Sequence, residues 1–370
     1  MEKNNYRILA INPGSTSTKI GVFDNEKCIF KTSIVHSSED LKGFKDIPSQ
    51  KGYRFNLILD SLKENGFDIK DIDAFVGRGG GLVSCEGGTY LINDKLYEHA
   101  STCFTIKHPA TLGATLACEL GKKYNKPSYC VNPPDVDEFK LEARITGLPE
   151  IYRESRIHAL NQKEIALRYA KEKKKNYKDL NLIVCHLGGG ISIAAHNHGK
   201  MIDSNDNVNG DGPMAPTRCG YVPAKQLIDL CFSGKYTQKE LSAFTTKTGG
   251  FVAWLGTDDL REIRKMIDSG NKKAKIIYNA FVYEIAKQIG AMYAALKCNC
   301  SAIILTGGLS NDKKFTADIK KYVGKLAPVV VMAGEFELEA LTDGALRVLN
   351  KLEKPKIYTG IPVFEKLEDK

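Results

Sequence analysis

Four glycine-rich turns follow apolar runs of the chain, and their residue types suit the binding of phosphate groups. They read NPGSTSTK at 12–19, GRGGG at 77–81, HLGGG at 186–190 and TGG at 306–308. Glycine allows a close approach to the backbone, and successive N–H groups in such turns form concave sites for anions. Ser15, Ser17 and Lys19 add hydroxyls and a cation to the first turn. The sequence contains neither GxxxxGKS nor GxxxxGKT, so the predicted phosphate site is not a P-loop.

Two β-hairpins of similar sequence are predicted to carry the first and the third turn. Residues 7–27 read as an apolar strand, a turn of small residues and a second, alternating strand. Residues 182–200 repeat this order at an offset of 174, the distance from Asn12 to His186. On this alignment Gly14 falls on Gly188 and Ile20 on Ala194. An offset of about half the chain predicts two similar domains, each opening with a hairpin, with a cleft between them.

Strands and helices alternate in the rest of the chain, which predicts an α/β fold. The predicted helices are 56–64, 158–170 and a segment around 281–296, and the predicted strands are 74–76, 127–131 and 302–305.

Composition narrows the class of protein. The chain has 370 residues, 42% of them hydrophobic and 26% charged, as expected of an ordinary globular protein with two domains. The N-terminal segment has no apolar run of secretory or membrane-spanning length, which predicts a cytoplasmic protein without membrane contact. A net charge of +9 suits anionic small substrates. No zinc-finger or RNA-binding signature accompanies it, so no nucleic-acid partner is predicted.

The ordered set of motifs resembles the family of acetate and butyrate kinases, in the superfamily that also contains sugar kinases, actin and heat-shock ATPases. The resemblance runs nearly end to end. It rests on NPGSTSTK, GRGGG, KHPATLGA, VDEF, IHALNQ, HLGGGISI, GDGPMAPTRCGYVP, GTDDLRE, TGGLS and AGEFELEAL. KHPATLGA, IHALNQ, HLGGGISI and the GDGP before the arginine are more similar to the butyrate kinases.

This resemblance implies two duplicated domains of the actin-like ATPase type with an interdomain cleft. Domain one would comprise residues 1–152 completed by 333–370, and domain two residues 153–332. The implied reaction is a reversible transfer of a phosphoryl group between ATP and butyrate, or a close short-chain or branched acid. Mg²⁺ is the implied cofactor with ATP or ADP, and a homodimer or larger homo-oligomer is the implied assembly.

Five residues match active-site positions of the family. By resemblance, Arg78 and Arg218 bind the carboxylate or the transferring phosphoryl group, and His158 contacts the phosphoryl oxygens. His108 is implied either to orient an arginine or to line the acyl pocket. A carboxylate is already deprotonated, so the reaction needs positioning and charge neutralisation, not a general base. The matching residues are Asn12, Arg78, His108, His158 and Arg218. Guanidinium groups can hold carboxylate or phosphoryl oxygens in pairs.

A second group matches positions on the nucleotide side. It consists of Ser15, Ser17, Lys19, His186, Gly188, Gly189, Gly190, Asp259, Arg261, Gly307 and Gly308. Asp259, followed three residues later by Glu262, is equally typical of a variant capping box at a helix start.

Metal binding is assigned by resemblance to Glu335, with Glu337 as the competing alignment. Either residue could instead be an acid favoured by the dipole of a helix start. Acetate kinases have aspartate where this chain has Asn132, and an amide carries no charge. Asp135 or Asp137 could supply the missing carboxylate.

Two alternatives stay open at this point. An acetate or propionate kinase would differ only in the size of its acyl pocket. A non-catalytic nucleotide switch of the same superfamily would bind ATP and phosphorylate no acid. His196 and His198, which flank Asn197, are interpreted as a solvated turn because no third metal ligand is apparent in the sequence.

Overall fold

The computed structural model describes residues 5–367, which divide into two compact units. Unit 1 contains the described residues up to Asp137, Ala159–Asn161, and those from Phe336 onward. Unit 2 contains Glu138–His158 and Gln162–Glu335. Each unit is built around one mixed β-sheet.

The strands, numbered along the chain, are short and mostly buried. They are β1 (Arg7–Pro13), β2 (Ser17–Asp24), β3 (Lys27–Val35), β4 (Ala74–Gly77), β5 (Thr89–Leu91), β6 (Ser128–Val131), β7 (Asn181–Leu187), β8 (Ile191–Asn197), β9 (Lys200–Ser204), β10 (Ala302–Thr306), β11 (Val329–Val331) and β12 (Lys356–Ile357). Unit 1 has the strand order β12-β5-β6-β4-β1-β2-β3, and unit 2 has β11-β10-β7-β8-β9.

The helices connect these strands. They are α1 (Ser38–Lys42), α2 (Lys51–Glu64), α3 (Asp94–Thr102), α4 (Thr111–Tyr124), α5 (Ala159–Glu172), α6 (Ala224–Cys231), α7 (Gln238–Phe244), α8 (Gly250–Leu255), α9 (Leu260–Asp268), α10 (Lys272–Ala295), α11 (Lys313–Val323) and α12 (Glu337–Leu349). Short 3-10 helices occur at Pro48–Gln50, Ile69–Asp71, Leu141–Ala143, Tyr177–Asp179 and Gly308–Asn311. Between residues 5 and 367, none of the helices combines the length and the apolar character that crossing a bilayer requires.

Strand β1 is apolar along its length because both faces of its sheet are covered. Leu9 and Ile11 belong to the core formed with α2, α3 and α4, whereas Ile8 and Ala10 belong to the core formed with Leu341 and its neighbours on α12. Strands buried on both faces read as continuous apolar runs instead of alternating ones. This packing places the start of α12 near the end of β1.

The predicted elements are present with shifted ends. Helix α2 extends the predicted 56–64 segment, α5 begins one residue after His158, and α10 ends just before Leu296. Strands β4, β6 and β10 correspond to the three predicted strands. The mixed α/β class is confirmed.

Both predicted hairpins are present, and their turns differ in length. Pro13 pairs with Thr18 in the first, and Leu187 pairs with Ile191 in the second, so the second turn is one residue shorter. The offset of 174 therefore holds for the first strand of each hairpin only. The alignment of Ile20 with Ala194 was wrong by one position, because a sequence offset cannot register a deletion inside the turn.

The glycine-rich turns lie at the carboxyl ends of parallel strands. In unit 1, β1, β4 and β6 run parallel, with Ile11 beside Gly77 and Gly77 beside Cys130. In unit 2, β7 and β10 run parallel, with His186 beside Thr306. Ligands of α/β sheets bind outside the carboxyl ends of the strands. Each unit therefore gathers its candidate residues at the sheet edge where binding is expected.

Candidate functional site

In unit 1, Asn12, Arg78 and Glu337 form one hydrogen-bonded cluster. Glu337 accepts from Nη1 of Arg78 at 2.9 Å and from Nδ2 of Asn12 at 2.5 Å. Nη1 of Arg78 also lies 3.4 Å from Oδ1 of Asn12. Asn12 lies near the end of β1, Arg78 follows the adjacent parallel strand β4, and Glu337 is the first residue of α12. Three segments distant in sequence thus converge on one carboxylate and one guanidinium.

The Arg78 guanidinium has donor capacity that this cluster does not use. Its Nε is buried and has no hydrogen-bond partner among the described residues. The side chain keeps 23% of its surface exposed, so part of the group stays accessible. A guanidinium with one buried, unused N–H is suited to receive an anion.

His108 lies close enough to Arg78 for the charge of the guanidinium to affect its pKa. Desolvation by the surrounding protein, and then the charge of Arg78, lower the pKa of His108, although much of its surface remains exposed. Nδ1 of His108 accepts a hydrogen bond from the backbone N–H of Ala110 at 3.1 Å. The neutral ring therefore carries its proton on Nε2, where it can donate.

In unit 2, His158, His186, Asn207 and Arg218 form a second cluster. The rings of His158 and His186 stack with centroids 3.9 Å apart and planes inclined by 17°. Arg218 donates from Nη1 to the side-chain and backbone oxygens of Asn207, whose Nδ2 lies 3.4 Å from Nε2 of His158. His158 is the N-cap residue of α5, but its side chain does not cap the helix. Instead, Nδ1 of the ring lies 2.9 Å from Oγ of Ser192.

Arg218, like Arg78, has an N–H group that makes no hydrogen bond in the described part of the chain. Its Nε is also buried and has no partner within residues 5–367. Burial lowers the pKa of Arg218, and the charge of Asp206 opposes this effect. An arginine stays protonated even so. Its backbone is held tightly, because a Cβ on Gly249 or Gly250 would collide with the backbone of the 215–219 loop.

The HLGGG turn lies beside this cluster, and the surroundings of its three glycines differ. A Cβ on Gly188 would lie 3.3 Å from Nε2 of His186, and a Cβ on Gly190 would lie 2.0 Å from Nη1 of Arg218. A Cβ on Gly189 would meet no atom within 4 Å, and this residue is exposed. The observed position of the Arg218 guanidinium thus requires glycine at 190, whereas Gly189 leaves room for a ligand.

These surroundings predict opposite effects of two alanine substitutions. Gly190→Ala should displace the Arg218 guanidinium and lower kcat of the predicted phosphoryl transfer by up to about 10²-fold, the cost of misplacing a group by about 1 Å. Gly189→Ala should leave the melting temperature unchanged and raise KM for the nucleotide, since its methyl group would occupy the path of the phosphates. Steady-state kinetics and thermal unfolding of both variants test this. Equal kinetic effects of the two substitutions would contradict the assignment.

A buried residue that the sequence analysis missed donates hydrogen bonds to the NPGSTSTK turn. Arg54 of α2 is fully buried and donates to the carbonyl oxygen of Gly14 and to Oγ1 of Thr18, both at 3.0 Å. Its other hydrogen bonds also go to neutral acceptors. Burial and the charge of Arg54 lower the pKa of His36, which bonds Thr18, to about 4. One uncompensated positive charge thus lies beneath the predicted phosphate turn.

Lys19 and Ser15 of this turn are exposed to solvent. Lys19 is exposed and pairs in register with Asn12 across the hairpin. Ser15 is exposed and Ser17 is half-buried. Their assignment to the nucleotide stays a prediction.

Asp259 caps α9, as one of the two interpretations had it. Its side chain accepts from the backbone N–H of Arg261 at 2.8 Å and pairs with the Arg261 guanidinium at 2.7 Å. These hydrogen bonds lower the pKa of Asp259 to about 2. The capping box is not completed, because Glu262 accepts from the Thr257 hydroxyl instead. A nucleotide role for Asp259 and Arg261 stays a prediction.

Gly307 and Gly308 follow β10 and differ in packing. Gly307 has φ +86°, and a Cβ there would lie 2.4 Å from the carbonyl oxygen of Leu187. Gly308 has open space around its Cβ position. The TGG turn therefore lies against the end of β7, beside the HLGGG turn, with Gly308 open to a ligand.

Of the residues assigned to the metal, only Glu337 lies in a cluster with Asn12 and Arg78. Glu335 is exposed and belongs to unit 2. Asn132 has φ +38°, a conformation that asparagine tolerates, and its Oδ1 accepts from the N–H of Gly88 at 2.7 Å. Asp137 is buried at the end of unit 1. The hydrogen bond to Gly88 is a structural role that accounts for an asparagine at this position without metal binding.

The solvated interpretation of His196 was wrong. His196 is fully buried and bonded on both ring nitrogens, whereas His198 is exposed at the tip of the hairpin. Strand alternation contained the signal: Ser192 and His196 lie four residues apart on β8 and so face the same side. Ser192, Asn207 and Gln162 were also missed. Gln162 lies one helical turn after His158 and shares its face.

The chain is similar in sequence and in fold to named kinases. The acetokinase family profile matches residues 150–330. A protein of Clostridium botulinum (strain Alaska E43 / Type E3) named probable butyrate kinase is 46% identical over 353 residues, which cover 95% of this chain and 99% of that protein. The fold is similar to Porphyromonas gingivalis acetate kinase, at TM-score 0.76, 19% identity and 92% and 99% coverage of the two chains. A Francisella tularensis propionate kinase gives TM-score 0.72, 20% identity and 91% and 98% coverage.

Proposed function

Because this chain belongs to the acetokinase family, we propose that it transfers the γ-phosphoryl group of ATP to butyrate or a closely related short-chain acid. A carboxylate oxygen forms the new bond to the γ-phosphorus as the bond to the bridging oxygen of ADP breaks. The products are an acyl phosphate and ADP. The same residues serve the reverse reaction.

The observation that carries this proposal is the pair of unused arginine donors. Arg78 and Arg218 each bury an Nε–H that finds no acceptor in the described part of the chain. Leaving a buried donor unpaired costs about 1–3 kcal/mol, and more for a charged group. Such groups require an explanation, and a bound anion supplies one. A carboxylate and a phosphoryl group are anions whose paired oxygens match the guanidinium fork.

The two clusters suit the two ends of this reaction. We assign Arg78, with His108 as a neutral donor beside it, to the carboxylate. We assign Arg218, His158, His186 and the HLGGG turn to the phosphates. No general base is needed, so the work of the protein is to position two anions and neutralise their repulsion. Fixed donors perform this without reorganising during the reaction.

Mg²⁺ fits the donor set when it is carried by the nucleotide. Within residues 5–367 no three His, Cys, Asp or Glu side chains are grouped to hold a metal. Mg²⁺ is commonly held by one or two carboxylates together with substrate phosphates. Glu337 supplies one carboxylate, and we assign it this role instead of Glu335. When bound, Mg²⁺ neutralises charge on the phosphate oxygens.

Chain-length preference tests the identity of the acid. An apolar pocket gains about 0.8 kcal/mol for each additional methylene that it buries. Butyrate has two more methylenes than acetate, so burial favours butyrate by at most about 1.6 kcal/mol, or roughly 15-fold in kcat/KM. The measurement is acyl phosphate, trapped as hydroxamate, with acetate, propionate, butyrate, isobutyrate and valerate as acceptors.

The outcomes of this series separate the alternatives. A maximum at butyrate, with acetate reduced but active, is the expected result. A maximum at acetate or propionate would reject butyrate while leaving a carboxylate kinase. Failure to phosphorylate any acid in the series, with ATP still bound, would favour the nucleotide switch. The two arginines argue against a switch, because binding a nucleotide does not require a second cationic site for a carboxylate.

A further inference from the structure

A buried chain of hydrogen bonds leads along β8 to His158. The Tyr177 hydroxyl lies 2.6 Å from Nδ1 of His196, and Nε2 of His196 lies 2.9 Å from Oε1 of Gln162. Nε2 of Gln162 donates to the backbone oxygen of Ser192 at 2.9 Å and to its Oγ at 3.1 Å. The Ser192 Oγ lies 2.9 Å from Nδ1 of His158.

The direction of each hydrogen bond follows from one fixed point. The backbone oxygen of Ser192 can only accept, so the amide nitrogen of Gln162 faces it and Oε1 faces His196. His196 must then carry its proton on Nε2. Burial lowers the pKa of His196 well below its usual value, so the ring is neutral and Nδ1 accepts from Tyr177. Tyr177, His196 and Gln162 thus have one consistent set of protons.

The same reasoning continues to His158. Ser192 Oγ receives a hydrogen bond from Gln162, and its own hydrogen needs an acceptor. In the described part of the chain, Nδ1 of His158 is the acceptor within range. Nδ1 therefore accepts, and neutral His158 carries its proton on Nε2. Nδ2 of Asn207, which can only donate, lies 3.4 Å from that nitrogen and opposes this tautomer. The contact is longer and therefore weaker than the 2.9 Å hydrogen bond to Ser192, which decides the tautomer.

We propose that Ser192, Gln162 and His196 are positioning residues that hold His158 as its Nε2–H tautomer. This proposal rests on the proposed phosphoryl transfer, in which Nε2–H of His158 donates to a phosphoryl oxygen. Stacking on His186 sets the plane of the ring, and Ser192 sets its rotation within that plane. Tyr177 completes the chain by fixing the tautomer of His196.

A purely structural role explains this arrangement less well. Ser192, Gln162 and His196 are each fully buried. Buried polar networks are costly unless every member is satisfied, and an apolar set would pack the same space. Here every link from Tyr177 to Nδ1 of His158 is satisfied, and Asn207 connects that ring to Arg218. Residues that orient an active side chain in this way change activity by about 10- to 100-fold when removed from metal sites.

The test uses Ser192→Ala, with Ser204→Ala as its matched control. Ser204 is an equally buried serine of the same sheet, but its hydroxyl donates only to backbone oxygens of Ile193 and Asn205. Ser192→Ala should lower kcat for butyrate phosphorylation by about 10- to 100-fold and leave both KM values near wild type, because His158 acts on the charge of the transition state. Gln162 keeps its bond to the backbone oxygen, so the fold should persist.

A spectroscopic measurement tests the tautomer independently of activity. In ¹⁵N-histidine-labelled protein, with His158 assigned by its loss in His158→Gln, Nδ1 of His158 should be unprotonated and Nε2 protonated. Ser192→Ala should shift the Nδ1 resonance of His158, Tyr177→Phe should shift that of His196, and Ser204→Ala should shift neither. Unchanged His158 resonances in Ser192→Ala, or equal kcat losses in the two serine variants, would overturn the proposal. If no acid is phosphorylated by the wild type, the proposed function fails while the resonances still decide the hydrogen-bond chain.

Discussion

Arg218→Ala is expected to lower kcat by about 10³-fold or more while the protein remains folded. The guanidinium has a buried, unused Nε–H, and its position is fixed by Asn207 and by the glycines that pack against its backbone. Arginines that stabilise the charge of a transferring phosphoryl group contribute about 10³- to 10⁵-fold to kcat. The measurement is steady-state phosphorylation of butyrate beside the circular dichroism of the variant.

Two further variants test whether the charge or the planar geometry of Arg218 matters, and whether the loss is specific to this arginine. Arg218→Lys keeps the charge but lacks the planar fork, so its kcat should lie between wild type and Arg218→Ala. Arg168→Ala removes a half-buried arginine that pairs with Glu164 on the same helix, and kcat should stay near wild type. A folded Arg218→Ala variant with near-normal turnover would remove Arg218 from the reaction.

The sequence predicted the positions of those candidate residues that depend on local pattern. Asn12 and His186 each stand near the end of an apolar run and before a turn of small residues, and the structure places both near the ends of parallel strands. Their roles in a reaction stay predictions. The register in which the two strands of each hairpin pair could not be predicted from the sequence. The second turn is one residue shorter, and only the hydrogen bonds between the strands reveal this.

Residues that act through long-range packing escaped the sequence analysis. Glu335 lies two residues before α12 and Glu337 is its first residue. Their local sequences do not show which of the two is the better candidate for the metal. The packing of α12 on β1 decides in favour of Glu337 as the neighbour of Arg78 and Asn12. Arg54 had no signal, because a charged residue on a helix is usually exposed. His196 had a signal in strand alternation, but the polar hairpin tip beside it suggested solvent.

Arg78→Ala is expected to lower kcat/KM for butyrate by roughly 30- to 5,000-fold. Truncating one member of a partly buried, hydrogen-bonded charge pair costs about 2–5 kcal/mol, and 1.36 kcal/mol corresponds to a factor of ten. The variant loses the proposed carboxylate contact and leaves Glu337 without its cation. KM for butyrate should therefore rise more than KM for ATP, which steady-state kinetics with each substrate varied in turn would measure.

A second ion pair of the same unit separates function from stability. Arg347 and Glu353 lie 2.9 Å apart with 24% and 27% of their side chains exposed, against 2.9 Å, 23% and 22% for Arg78 and Glu337. Arg347→Ala should thus lower the melting temperature about as much as Arg78→Ala and leave kcat/KM near wild type. Because Arg78 and Glu337 are in contact, the double alanine variant should lose less activity than the two single losses combined; it should still be less active than Arg78→Ala, because Glu337 is also assigned to the metal. An equal loss of kcat/KM in Arg347→Ala would mean that the Arg78 cluster supports the fold and does not bind the acid.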